Sequence, residues 1–397
     1  MPSEPEPVPP TASEHADPSA DGARPTRPLD GILVVSLEQA VAAPLASFRL
    51  AEAGARVVKI ERPDGDFARG YDRAANGISS YFAWANGGKE SVALDLRHDP
   101  DRKVMAGLLE RADVFIQNLA VGASDRLGYG AATLRAERPE LIVCDLSGYG
   151  PDGPYAELKA YDLLVQAESG LLSVSGAPGP PGRIGVSVAD IGTGTTAALA
   201  ITQALFRRQR TGEGAHLEAS LFATMADWMT VPLLHHDYLD RAPARVGLAH
   251  PSIAPYGGFA SADGDVVLIS IQSDREWGVL CREVLGRPDL ADDPGLATND
   301  DRVADRDRTD AAVAEVFATL TTGDLRRRLV ESRIAFGMVN DTAGLSDHPQ
   351  LRRVTAEHEL GTVDLPAPPV RTDWAATGAI PSIDQHGEAI RAEFGRG

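Results

Sequence analysis

At 397 residues, with 43% apolar and 24% charged side chains, the chain has material for a large core and about two domains. A formal charge of -19 with no basic stripe argues against nucleic acid as a partner, and the longest apolar runs, such as Val266 to Ile271, are too short to cross a bilayer. Cys144 and Cys281 are the only cysteines, each in an apolar setting, which points to reduced thiols in the cytoplasm and away from disulfides or a cysteine metal site.

Residues 1–28 are rich in Pro, Glu, Ala and Ser and nearly devoid of large apolar side chains, so they are expected to form a disordered tail. Their acidic, proline-rich start shows no basic patch followed by an apolar stretch, so no signal peptide is expected. A strand is predicted over Ile32–Leu37, a helix over Pro44–Ala53 closed by Gly54, and a strand over Arg56–Glu61. That βαβ spacing predicts parallel pairing. The pattern repeats with strands at Ser91–Leu96, Val114–Ile116 and Leu141–Leu146, and helices at Asp101–Arg111 and Ala131–Glu137. A long helix is predicted from about Ile191 to Arg208, ending at Thr211-Gly212-Glu213-Gly214. Past Pro232 the texture changes: a strand at Val266–Ile271 and amphipathic helices predict a second, smaller domain. The strand around Phe336–Val339 and the apolar segment near Val363 are expected to return the chain to the first domain. The expectation is an α/β protein: a doubly wound, Rossmann-like parallel sheet over 29–231 plus 332–397, and a smaller α+β domain over 232–331.

Gly192-Thr193-Gly194-Thr195-Thr196-Ala197 matches the G-x-G-x-x-A dinucleotide fingerprint, though small residues that let a buried helix pack closely explain it more simply. Asp190, just before it, is read in two ways. As an ordinary helix cap it would satisfy orphan backbone donors. As a functional group it would stay ionised at the helix N-terminus, where N–H groups of the adjacent glycines would stabilise a tetrahedral oxyanion. His235-His236-Asp237 looks metal-like, but adjacent histidines on a helix point apart, so a structural or interface role is expected and no metal site is assigned.

A set of stretches in fixed order carries a family resemblance. It runs Leu29-Asp30-Gly31, Ala53 to Arg62, Lys89 to Leu96, Ala112 to Asn118, Leu146 to Tyr155, Val188-Ala189-Asp190-Ile191 and Arg210 to Gly214. Over Leu29 to about Ala375 the chain resembles the class III CoA-transferase family, the group of formyl-CoA and carnitine CoA-transferases. The resemblance puts the catalytic aspartate on Asp190. It implies covalent catalysis through an aspartyl-acyl anhydride and an aspartyl-CoA thioester, with CoA as substrate and no cofactor. It also implies that Arg62, Arg97, Arg126 and Lys159 meet the nucleotide end of CoA. Leu94, Asn118 and Leu119 would line that site, with Tyr161 nearby. Gln39 and Ala42 would lie on the substrate side, and Gln39 and Val41 depart from the His and Gln that some relatives carry. His250, Tyr256, Gly257 and Gly258 resemble the substrate loop of members acting on C4–C5 dicarboxylates such as itaconate, mesaconate or citramalate. The expected reaction takes CoA from succinyl-CoA to a free carboxylic acid in an interlocked homodimer.

Racemases of the same superfamily carry His where Tyr161 stands. Tyrosine is a poor proton acceptor near neutral pH, which argues for transfer. Asp162 then reads as a helix cap or an orienting hydrogen-bond partner. A nicotinamide-dependent dehydrogenase using Gly192 and Gly194, and a catalytically silent CoA-binding protein, are the other readings.

Overall fold

The structure is a computed structural model and describes residues 27–241, 243–374 and 377–395. The expected tail therefore lies outside the described residues up to position 26. Strands β1 (Leu33–Leu37), β2 (Arg56–Glu61), β3 (Glu90–Ala93), β4 (Val114–Gln117), β5 (Ile142–Ser147) and β6 (His216–Ser220) form one sheet in the order β3-β2-β1-β4-β5-β6. Every pairing in it is parallel; Val35, for example, stands opposite Val58 on one side and Phe115 on the other. Parallel strands are covered on both faces, which is why β1 and β4 read as nearly continuous apolar runs.

The pleat divides the core. Val34, Val57, Val114, Ile142 and Cys144 face the helices Ala42–Glu52 and Val188–Thr211. Val35, Val58, Phe115 and Val143 face the helix Asp99–Arg111 and the terminal helix Gly387–Phe394, which inserts Ile390 and Phe394. The strand order reverses between β1 and β4, so a crevice opens at their carboxyl ends, where open α/β sheets bind ligands.

Two expectations need correction. β6 was not anticipated: its sequence His-Leu-Glu-Ala-Ser is half exposed, as suits an edge strand, and offers no apolar run. The strand near Phe336 does not return to the large sheet. It is β9 (Ala335–Met338), paired antiparallel with β8 (Val266–Ser270), which pairs in turn with β7 (Tyr256–Ala260). Phe336 and Met338 pack on the small core around Trp277, Phe317 and Val267, and that burial fixes the destination. The Val363 segment belongs to the hairpin β10 (Arg353–His358) and β11 (Gly361–Pro366), packed over Ile78 and Phe82. The chain regains the large sheet only past it, where the Gly88 N–H donates to Ala379 and the terminal helix begins.

Candidate active site

Parallel strands deliver the loops after β1, β2, β3, β4 and β5 to one edge of the sheet. Gln39, Arg62, Leu94, Asn118 and Tyr161 all follow strand ends and so gather along that edge. The floor beneath it is charged and dry. Glu38, Lys59, Asp66 and Lys89 are buried together. Glu38 Oε1 accepts from Lys89 Nζ at 2.7 Å and Lys59 Nζ at 3.4 Å; its Oε2 accepts from the Ser36 and Ser47 hydroxyls. Lys59 Nζ also donates to Asp66 Oδ2 at 2.9 Å, while Asp66 Oδ1 accepts the N–H groups of Ala40 and Ala68. Burial alone would raise the Glu38 carboxyl, but Lys89 and Lys59 outweigh it and hold the group at about 2. Burial draws Lys89 down to about 8.

This floor fixes the turn after β1. Ala40 adopts φ +65°, rare for a residue with a side chain, and its N–H is held by Asp66. Asn118 clamps the neighbouring residue from both sides. Its Oδ1 accepts the Gln39 N–H at 3.0 Å, and its Nδ2 donates to the Gln39 carbonyl at 2.8 Å. Ala42 is buried against the long helix, where a Cβ on Gly194 would stand 2.5 Å from the Ala42 carbonyl.

The long helix begins at Val188, earlier than expected, with Ser187 at its cap. Asp190 is therefore in the first helical turn and is not the cap. That task falls to Asp162, whose Oδ1 accepts the Ala189 N–H at 2.8 Å. The Asp190 carboxylate is part-buried and, among the described residues, has neither a hydrogen bond nor an ion pair. Burial first, and the Asp162 charge second, push its pKa up to about 7. It is thus near half-protonated at neutral pH, where the helix dipole alone suggested a fully ionised group. Gly192 and Gly194 lie past the first turn with their N–H groups inside the helical ladder, so they supply no oxyanion donors. Their missing Cβ atoms instead admit Trp228 and Ala42 at close range. They sit within a helix and not at a strand-to-helix turn, which removes the dinucleotide fingerprint.

Sequence reasoning missed Tyr71. It lies edge-on to Tyr81, with ring centroids 5.4 Å apart, and 5.7 Å from the Phe67 ring. Burial first, then the charges of Asp66 and Asp190, raise its phenol to about 12, so it remains a hydrogen-bond donor beside Asp190 at neutral pH. The available signal was an aromatic pair, Phe67 and Tyr71, in the loop directly after a parallel strand.

The cationic candidates are spread out. Arg97 is exposed and pairs with Asp95 at 2.7 Å, and Arg62 is exposed with Asp64 at 3.5 Å. Arg126 and Lys159 are exposed; Leu94 is buried, and Leu119 is half-buried at the rim of a cleft of about 470 Å³. Tyr161 is 63% exposed and precedes the helix Asp162–Glu168. His250, Tyr256, Gly257 and Gly258 form their own cluster. The His250 ring stacks on Tyr256 at 5.2 Å, and Gly258 leaves room for Leu248 and Val266. Among the described residues no hydrogen bond or ion pair joins this cluster to Asp190.

Residues 29–386 match the family described as CoA-transferase family III. The acetyl-CoA:oxalate CoA-transferase of Acetobacter aceti is 35% identical, covering 94% of this chain and 97% of that protein. The succinyl-CoA:mesaconate CoA-transferase of Haloarcula hispanica is 32% identical, over 93% of this chain and 97% of its own length. Among solved structures, a CAIB/BAIF family protein from Brucella suis superposes with a TM-score of 0.81 at 33% identity, covering 93% of this chain and 99% of that one.

Proposed function

The chain belongs to CoA-transferase family III, and from that premise we propose that it moves CoA from succinyl-CoA to a free C4–C5 dicarboxylic acid, with Asp190 as the nucleophile. The observation that carries this reading is an unpaired, part-buried carboxylate at the carboxyl edge of the sheet, raised to about 7. Such a group is more basic than an exposed aspartate, yet ionised in about half the molecules at pH 7.

In the proposed reaction an Asp190 oxygen attacks the thioester carbonyl carbon. The C–S bond breaks, CoA leaves as thiolate, and an aspartyl-acyl anhydride forms. The thiolate attacks the aspartyl carbonyl, releasing the donor acid as its carboxylate and leaving an aspartyl-CoA thioester. The acceptor carboxylate attacks that thioester, giving a second anhydride and thiolate. The thiolate then takes the acceptor's acyl carbon and frees Asp190. No proton or electron is gained or lost, so CoA is the substrate and no cofactor is required. Tyr71, still protonated, donates toward the carbonyl oxygen as it gains charge.

Arg62, Arg97, Arg126 and Lys159, exposed and spread along the carboxyl side of the sheet, serve the phosphates of CoA one by one in a chain of net charge -19. Leu94, Asn118, Leu119 and Tyr161 line its path. Gln39 and Ala42 shape the acyl side through their backbone, since Gln39 is clamped by Asn118 and Ala42 is buried. The names of the relatives, which specify oxalate and mesaconate, support a dicarboxylate acceptor.

A second chain completes the site. The helix Thr230–Leu239 buries none of its residues, and Val231, Leu233, Leu234, Tyr238 and Leu239 are all exposed. An apolar face of that extent suits an interlocked homodimer, in which the partner's small sheet brings His250, Tyr256, Gly257 and Gly258 over Asp190. No helix of the described residues is long and apolar enough to cross a membrane. The free buried thiols Cys144 and Cys281 suit a cytoplasmic setting.

The racemase reading loses support because Tyr161, an exposed phenol, stands where a base is needed. The test is a panel of acyl-CoA donors and free dicarboxylates, run with wild type and Asp190→Ala and read by mass spectrometry of new thioesters. Transfer by wild type and its loss in the variant are expected. Comparable transfer by both would sink the assignment, and α-deuteration in deuterated water without transfer would favour the racemase.

A further inference from the structure

Asp162 opens the helix Asp162–Glu168, yet its buried carboxylate acts on a different helix. Oδ1 accepts the Ala189 N–H at 2.8 Å, one residue before Asp190, and Oδ2 accepts from Gln166 Nε2 at 2.7 Å. Gln166, fully buried, clasps Ile184 from both sides. The Ile184 N–H donates to Oε1 at 3.0 Å, and Nε2 donates to the Ile184 carbonyl at 3.3 Å. One turn of a neighbouring helix thus ties down the whole entry to the long helix, from Ile184 to Ala189.

We propose that Asp162 is a positioning residue for the transfer reaction: its carboxylate caps the long helix from outside, at the residue before Asp190, so that the nucleophile is left unpaired. This rests on the reading of Asp190 as the nucleophile. The physical argument concerns the helix terminus. Free N–H groups and the positive end of the dipole would stabilise an ionised Asp190 and weaken it as a nucleophile. Asp162 occupies the Ala189 donor with an anion and offsets that field. Its charge is the second cause, after burial, of the raised Asp190 pKa.

Other groups around Asp190 do not replace it. Tyr71 is a neutral phenol, raised by burial first and then by the charges of Asp66 and Asp190. Arg49 and Glu52 on the helix Ala42–Glu52, Glu168 at the far end of the Asp162 helix, and Asp227 on the helix Leu221–Trp228 do not contribute to the raised Asp190 carboxyl. The same holds for Asp145 on β5 and for His216 and Glu218 on β6.

The test compares wild type with Asp162→Asn, Asp162→Ser and Gln166→Met. Two readouts are taken: the pH profile of kcat/KM for CoA transfer, and the titration of the Asp190 carboxyl by ¹³C NMR in aspartate-labelled protein, assigned with Asp190→Asn. Asn and Ser keep a neutral cap acceptor for Ala189 but remove the charge. Both are expected to move the acid limb and the NMR titration to lower pH, by on the order of one unit, and to lower the plateau rate several-fold. Gln166→Met loosens the clasp and is expected to lower kcat with the limb unmoved. An acid limb and a titration that stay at the wild-type position in Asp162→Asn and Asp162→Ser would overturn the proposal, as would an equal shift in Gln166→Met. Absence of transfer by wild type would count against the nucleophile reading, while the NMR titration, which needs no turnover, still decides the role of Asp162.

Discussion

Two acidic centres lie at the carboxyl edge of the sheet, one buried and one part-buried, and their surroundings shift them in opposite directions. Glu38 is buried with two lysines and two hydroxyls and is held at about 2. Asp190 is part-buried, has no partner among the described residues, stands next to another carboxylate, and is raised to about 7. Burial acts upward on both; the partners decide the sign. The first centre is a rigid floor that shapes the turns at Ala40 and Ala68. The second keeps its chemistry available because nothing neutralises it. The same fold assembles four buried charges into a satisfied network and leaves the Asp190 carboxylate bare, which is where reactivity is expected.

Breaking the paired centre should have the largest effect. Lys59→Met takes the buried cation from Asp66 and one of two from Glu38, which keeps Lys89, and loss of about 3–5 kcal/mol is expected by chemical denaturation. The sign with pH follows from the lowered Glu38: its contribution is full above its ordinary 4.5 and is lost as pH falls toward about 2. A Lys59→Met protein as stable as wild type at pH 7 would mean that the floor is not holding the turns.

The helix junction between the two centres comes next. A Cβ at Gly194 would meet the Ala42 carbonyl at 2.5 Å, backbone that cannot turn aside. Gly194→Ala should cost about 2–3 kcal/mol of stability. Gly257→Ala, whose nearest neighbour would be 3.7 Å away, should lie within about 0.5 kcal/mol of wild type in the same thermal melts. Equal costs would remove the close-packing explanation of the glycine pair.

The unpaired centre should respond least, and with the opposite sign. The folded Asp190 pKa of about 7 lies above its ordinary 3.8, so ionisation favours the unfolded chain and stability drains as pH rises from about 4 to about 7. Asp190→Asn should therefore stabilise the fold by about 1–2 kcal/mol above pH 7, less than the full shift implies because the group is partly in water, with no gain near pH 4. A melting temperature that the substitution lowers at pH 8 would contradict the raised pKa.

Much of the large sheet was legible because parallel strands announce themselves as apolar runs with helices between them. β6 was not, since an edge strand with exposed His216 and Glu218 carries no such run. Nor was the partner of β9, because its local pattern says strand without saying which sheet. At the site, the ordered motifs single out Asp190 as the candidate, while the structure sets it inside the first helical turn and not before it. The Ser187-x-x-Asp190 spacing was the local sign that Ser187 precedes the first turn. The charged floor was also within reach. Lys59 and Glu61 interrupt an apolar strand, and a buried charge requires a buried partner. Tyr71, Asp162 and Gln166 depend on contacts between distant segments, which spacing along one chain does not encode.

As the proposed nucleophile, Asp190 becomes covalently attached to CoA during transfer. The direct measurement is mass spectrometry of the Asp190 peptide after incubation with an acyl-CoA donor and quenching with borohydride or hydroxylamine. Asp190 alone is expected to be reduced or converted to its hydroxamate, in a product that requires the donor and that free acceptor acid diminishes. An unmodified Asp190 peptide in protein that is turning over, or modification at another carboxylate that persists in Asp190→Ala, would contradict it.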